Sequence, residues 1–180
     1  MINRRFYIVY FLLFYCTMYG YAQNDCQSYL KKVEQAKDAV EKVKYVQLAA
    51  DCGNEQCQFE IGYFFYESSE KFREKIQGMS DADSNEVYKE VYKEVIVQKG
   101  KAAIEYLAMA AETGHPTAQA LLCLIYYEGH IVKKDLDAAK SWAKKVRSNN
   151  RSTEVDKEIV NDVEGAIEEL EKKIDWFLGL

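Results

Sequence analysis

Apolar residues recur every three or four positions through most of the chain, the spacing of helices that bury one face. Val33, Val40, Val43, Val46 and Ala50 make one such stripe and predict a first helix over residues 27–51, followed by a second over about 55–66. Phe72, Ile76 and Met79 keep the same spacing, and Val87, Tyr88, Val91, Tyr92, Val95 and Ile96 form two adjacent columns. The stretch Gly78 to Asn85 supplies turn residues between them, so the segment of about 67–100 reads as a helical hairpin. A flexible loop interrupted at Ser68-Ser69 and Gly100 is the alternative. Towards the end Val155, Ile159, Val163, Ile167, Leu170 and Ile174 share a face behind Thr153-x-x-Asp156, a spacing resembling a capping box. At the start, Asn3-Arg4-Arg5 precedes an uncharged run from Phe6 to Tyr19 and the small-residue ending Gly20-Tyr21-Ala22. That order predicts a secretory signal over 1–22, with an uncleaved membrane anchor as the alternative.

The helical pattern repeats. Leu48-Ala49-Ala50-Asp51-Cys52-Gly53-Asn54 recurs 61 residues later as Met109-Ala110-Ala111-Glu112-Thr113-Gly114-His115. Under the same shift Tyr45 falls on Tyr106, Gln58 on Gln119, and Tyr66-Glu67 on Tyr127-Glu128. Ala102-Ala103 and Tyr106 reappear after 36 residues as Ala138-Ala139 and Trp142, and the 25-residue difference falls in the hairpin. Small residues such as Ala49, Ala50, Ala110 and Ala111 let neighbouring helices approach closely. Gly53 and Gly114 stop helices, Asn54 and His115-Pro116 start the next ones, and Asp135 is an expected N-cap.

The segment Lys101 to Val146 resembles a Sel-one-like repeat, a relative of the tetratricopeptide repeat, through Ala118, Leu122, Tyr126, Gly129, Val132, Asp135, Ala139 and Trp142. Cys123 and Ile131 stand where the family pattern has glycine, and Val146 where it has alanine. The resemblance implies an all-α fold: a short right-handed α-solenoid of antiparallel helix pairs over residues 23–148. The 67–100 hairpin is inserted into it, and a capping helix over 149–180 seals its apolar end. It also implies a job of protein binding, the first helix of each pair lining the inner face. Carried onto this chain, that geometry points to Phe59, Tyr63 and Tyr66 in one repeat and Tyr127 and Glu128 in the next. A related cysteine-rich branch has been linked to β-lactam binding, which adds a hydrolase-like activity as a minor alternative.

Composition narrows the partners. The 180 residues carry 24 Lys plus Arg against 29 Asp plus Glu, a net charge of −5 that becomes −7 without Arg4 and Arg5. An acidic chain of this kind is not expected to bind nucleic acid, whose phosphates need a basic face. Export leaves Cys26, Cys52, Cys57 and Cys123, which allow three complete pairings. Cys52 with Cys57 is the favoured disulfide because the two flank the Gly53-Asn54 turn, whereas Cys26 stands far from Cys52 along a single helix. Buried free thiols are the alternative. No metal site, cofactor or catalytic residue is expected: the cysteines form no CxxC, and the phosphate-loop, GxSxG, HExxH and calcium-loop motifs are missing from the sequence.

The leading expectation is therefore a non-enzymatic scaffold, periplasmic or secreted, that binds a protein or peptide and meets the membrane only through an uncleaved signal. An inhibitor or immunity-type subunit acting through residues 67–100 is the second reading. Self-association as a homodimer is the third.

Overall fold

The computed structural model describes residues 26–79 and 86–178. The expected signal over 1–22 lies outside the described residues, as do residues 80–85 of the Gly78 to Asn85 connection. Among the described residues the fold is all-α, with seven helices and no strand. They divide into two compact units, the first ending at Gln58 and the second beginning at Phe59.

In the first unit, α1 (residues 26–35) and α2 (Ala39–Asp51) replace the single helix expected over 27–51. The break has a local cause. Asp38 caps α2 by accepting from the Glu41 backbone N–H at 2.8 Å, while the Glu41 carboxylate reaches back to accept from the Lys37 N–H at 3.0 Å. Asp38-x-x-Glu41 thus caps α2 much as a capping box does, with the return bond going to the residue before the cap, and it stops α1 where the apolar stripe alone would run on. The chain doubles back, bringing Cys26 to Cys52 with Cα atoms 5.6 Å apart and the sulfurs at disulfide distance. This corrects the Cys52–Cys57 pairing: Cys57 lies buried in the first turn of α3 (Glu55–Gln77), outside the disulfide.

The turn between α2 and α3 is closed by Gly53 at φ +92°, with the Gly53 and Asn54 N–H groups donating to the carbonyls of Ala50 and Ala49. Asn54 accepts from the Cys57 N–H at 2.9 Å, and buried Gln58 donates through Nε2 to the Ala50 carbonyl at 3.2 Å. The turn 61 residues later is built alike. Gly114 has φ +102°, the Gly114 and His115 N–H groups donate to Ala111 and Ala110, His115 Nδ1 accepts from the Ala118 N–H, and Gln119 Nε2 donates to the Ala111 carbonyl at 2.9 Å.

In the second unit, α3 and α4 (Glu86–Glu112) run antiparallel: Phe65 stacks near Tyr106, and Phe72 meets Tyr92 at 5.5 Å between ring centres. α3 continues through Ser68 and Ser69, whose hydroxyls donate back to the carbonyls of Phe64 and Tyr66 at 2.7 Å each. Gly100 sits buried inside α4, where a Cβ would lie 2.9 Å from Ile131 Cβ, so it marks a close approach and not a break. α5 (Pro116–Glu128) is the central element, packed against α4, α6 (Leu136–Ser148) and α7 (Glu154–Leu178). Eight of its thirteen residues are buried, as a helix apolar on nearly all sides requires.

Two apolar clusters lie on either side of α5. One joins Leu107, Ala110, Ala111, Leu122 and Ile125; the other joins Ala120, Cys123, Ala139, Val146, Val160 and Ile167. Asp135 caps α6 by accepting from the Ala138 N–H at 2.9 Å. In the polar stretch after α6, Asn149 donates to the Gly114 carbonyl and to Gln119 Oε1, tying that end to the α4–α5 turn. Thr153 and Asp156 cap α7 reciprocally, the Thr153 N–H donating to Asp156 Oδ2 at 2.8 Å and the Asp156 N–H to Thr153 Oγ1 at 3.3 Å. The buried face of α7 is Asp156, Val160, Val163 and Ile167, rotated from the predicted stripe, so that Val155 is 63% exposed.

Candidate functional site

On α3, positions 59, 63, 66, 70 and 73 are separated by four and three residues and therefore share one face. The face opens with His115 stacked on Phe59 at 4.3 Å, continues to Tyr63 at 5.9 Å from Phe59 and to Tyr66 at 6.4 Å from Tyr63. Beyond the rings it becomes charged: Arg73 Nε donates to Glu70 Oε2 at 2.8 Å. The two clusters of the second unit decide how much of each ring is free. Phe59 and Tyr66 are half-buried against the cluster holding Leu107 and Leu122, whereas Tyr63 is 41% exposed.

Electrostatics binds this face to the end of α5. Burial pushes the Tyr66 hydroxyl up to about 12, with the negative charges of Glu128 and then Glu70 acting in the same direction and Arg73 opposing them. Tyr63 is also raised, by burial first and then by its hydrogen bond to Glu67 and the charge of that carboxylate. Glu128 Oε2 in turn lies 3.4 Å from His130 Nδ1. Of the five residues expected to bind, Phe59, Tyr63, Tyr66 and Glu128 therefore come together. Tyr127 does not: it packs on the other cluster, with Lys134 Nζ 4.4 Å above its ring.

Four contributors were not anticipated. His115, read as a turn residue, also extends the ring ladder; Glu70 and Arg73 continue the same face. Glu67 is the fourth, and the signal for it was the 61-residue shift that places it on Glu128. The remaining chemistry is muted. Cys123 is fully buried, and burial followed by the charge of Glu164 pushes its thiol up to about 11, the reverse of an activated nucleophile. Among the described residues no group of three or more His, Cys, Asp or Glu side chains could hold a metal ion, and no helix is long and apolar enough to cross a membrane. Comparison with protein-family models, with curated proteins and with solved structures gives no match.

Proposed function

We propose that this chain is an exported, non-enzymatic scaffold that binds a protein partner through the α3 face built from Phe59, Tyr63 and Tyr66 with Glu128 beside it. The architecture behind this reading is a short right-handed α-solenoid of Sel-one-like type, with residues of about 67–100, the far end of the α3–α4 hairpin, as its insertion and α7 as its cap. The observation that carries it is the ladder itself: ring centres 4.3 to 6.4 Å apart along one face, ending in the exposed Tyr63 and the half-buried Tyr66. Aromatic side chains give large contact area at low entropic cost, which is why they dominate binding hot spots. The two like-built turns support the repeat reading, and the Cys26–Cys52 pair supports an oxidising compartment.

The test is capture of a partner by tagged protein from its native envelope fraction, with wild type and Tyr63→Ser compared. Tyr63 is exposed enough that its loss should leave the fold intact, so retained helicity with lost capture is the expected result. Undiminished capture by Tyr63→Ser would sink the reading. One observation favours the inhibitor-type alternative: Val87, Tyr88 and Val91 at the start of α4 are exposed. Retained capture by Tyr63→Ser together with loss in Val87→Ser/Val91→Ser would move the contact to the hairpin.

A further inference from the structure

We infer that the segment bound on the α3 face is cationic, a stretch of a partner protein bearing lysine or arginine. The inference rests on the scaffold reading above and adds the chemistry of the occupant. Charge complementarity is the first ground. Alongside Tyr63 and Tyr66 the face carries Glu67, Glu74 and Glu128, while its own cation, Arg73, is engaged by the mostly buried Glu70 carboxylate. Lys71 reaches Glu67 at 3.6 Å, but with its side chain 74% exposed it is held only loosely and is easily displaced.

The second ground is a contrast with several of the other rings, though among the described residues Phe72 and Tyr126 are as free of cations as Tyr63 and Tyr66. Lys99 stands 5.1 Å from the centre of Phe65, Lys134 4.4 Å above Tyr127 and Lys145 3.8 Å above Trp142. Among the described residues no lysine or arginine stands over Tyr63 or Tyr66. A ring face flanked by carboxylates attracts a cation through both its quadrupole and the neighbouring charge. An acidic partner would meet the same carboxylates as repulsion.

The probe is a fluorescein-labelled twelve-residue peptide alternating arginine with glycine and serine, titrated with the full chain and read by anisotropy. A peptide with glutamate in place of arginine is the control. Saturable binding of the arginine peptide alone is expected, weakening as salt rises from about 50 to 300 mM. Glu67→Gln/Glu128→Gln should weaken it at least about five-fold, and Glu168→Gln/Glu169→Gln on α7 should leave it within about two-fold. Equal losses in both double variants would reduce the effect to the general acidity of the chain and overturn the inference, as would absence of binding by the arginine peptide. If a natural partner is captured in a Tyr63-dependent way but ignores Glu67→Gln/Glu128→Gln, the cationic occupant is refuted while the scaffold reading stands. Capture independent of both Tyr63 and the two carboxylates refutes the scaffold reading as well.

Discussion

At the scale of single residues, the aromatic face of α3 borders the seam with α4, and how closely the two helices meet there is set by one glycine. Gly62 lies where a Cβ would come within 2.9 Å of both the Leu107 backbone nitrogen and its Cγ, so α3 and α4 touch there with no room for a methyl group. Gly62→Ala should cost about 1–3 kcal/mol, read from urea midpoints, because the clash is partly with backbone that has little freedom to shift. Gly165, inside α7, has nothing within 4 Å of the same added atom. Gly165→Ala should therefore stabilise by up to about 1 kcal/mol through helix propensity alone. Tyr66 gives a pH signature. Its hydroxyl ionises near 10 in the unfolded chain and near 12 in the folded one. The contribution is thus complete below pH 10 and is lost as pH rises from 10 through 12, where the unfolded chain ionises first. Urea midpoints at pH 8 and pH 11 should fall further in wild type than in Tyr66→Phe, and parallel falls would remove Tyr66 from the alkaline limb. That positions 59, 63 and 66 share a face follows from their three- and four-residue spacing, but naming them as a candidate site rests on the resemblance to Sel-one-like repeats; Glu67 is not named by it although it matches Glu128 under the 61-residue shift. The separation of Tyr127 from them was not legible, because spacing along α5 does not tell which of two clusters a ring joins.

At the scale of elements, caps decided more than stripes. The all-α fold, the Gly53 and Gly114 stops and the Thr153-x-x-Asp156 start could be read from the chain, because each depends on residues within four positions of one another. The division of 27–51 into α1 and α2 had an equally local signal, Asp38-x-x-Glu41, but the apolar spacing of Val33, Val40 and Val43 continues across it. That single break determines the cysteine pairing, since a continuous helix would hold Cys26 far from Cys52 and the doubled-back pair holds them 5.6 Å apart between Cα atoms. Peptide mapping without reduction should recover Cys26 joined to Cys52, with Cys57 alkylated only after unfolding. Cys26→Ser/Cys52→Ser should lower stability by about 2–4 kcal/mol, the range for closing a loop of this size. A recovered Cys52–Cys57 link would overturn the geometry of α1.

At the scale of the second unit, α7 is what keeps α5 enclosed. α5 is apolar on nearly every side, with α4 covering one cluster and α6 and α7 the other. Val160, Val163 and Ile167 supply the apolar cover, while Arg147 on α6 holds the Glu164 carboxylate and donates to Asn161 at 2.8 Å, fixing the register of α7 from its polar edge. Cys123, fully buried in that cluster, reports on the seal without any added label. In the closed unit its thiol is held up at about 11, by burial first and by Glu164 second, so at pH 8 it is protonated and out of reach of an alkylating reagent. Removing residues 153–180 takes away Glu164 and the α7 share of the burial, while α6, whose Ala139, Ala143 and Val146 belong to the same cluster, stays in place. The thiol should then fall part of the way towards its ordinary value, and its alkylation rate at pH 8 should rise well above that of the intact chain. Ile167→Ala offers the graded version. It should cost about 2–5 kcal/mol and raise the rate in proportion to the fraction of time the helix is open, while the first unit keeps its Cys26–Cys52 link. If Cys123 in the intact chain already reacts at the rate of an unstructured thiol, α7 does not close over α5, and the second cluster cannot be the core that holds this end of the molecule together.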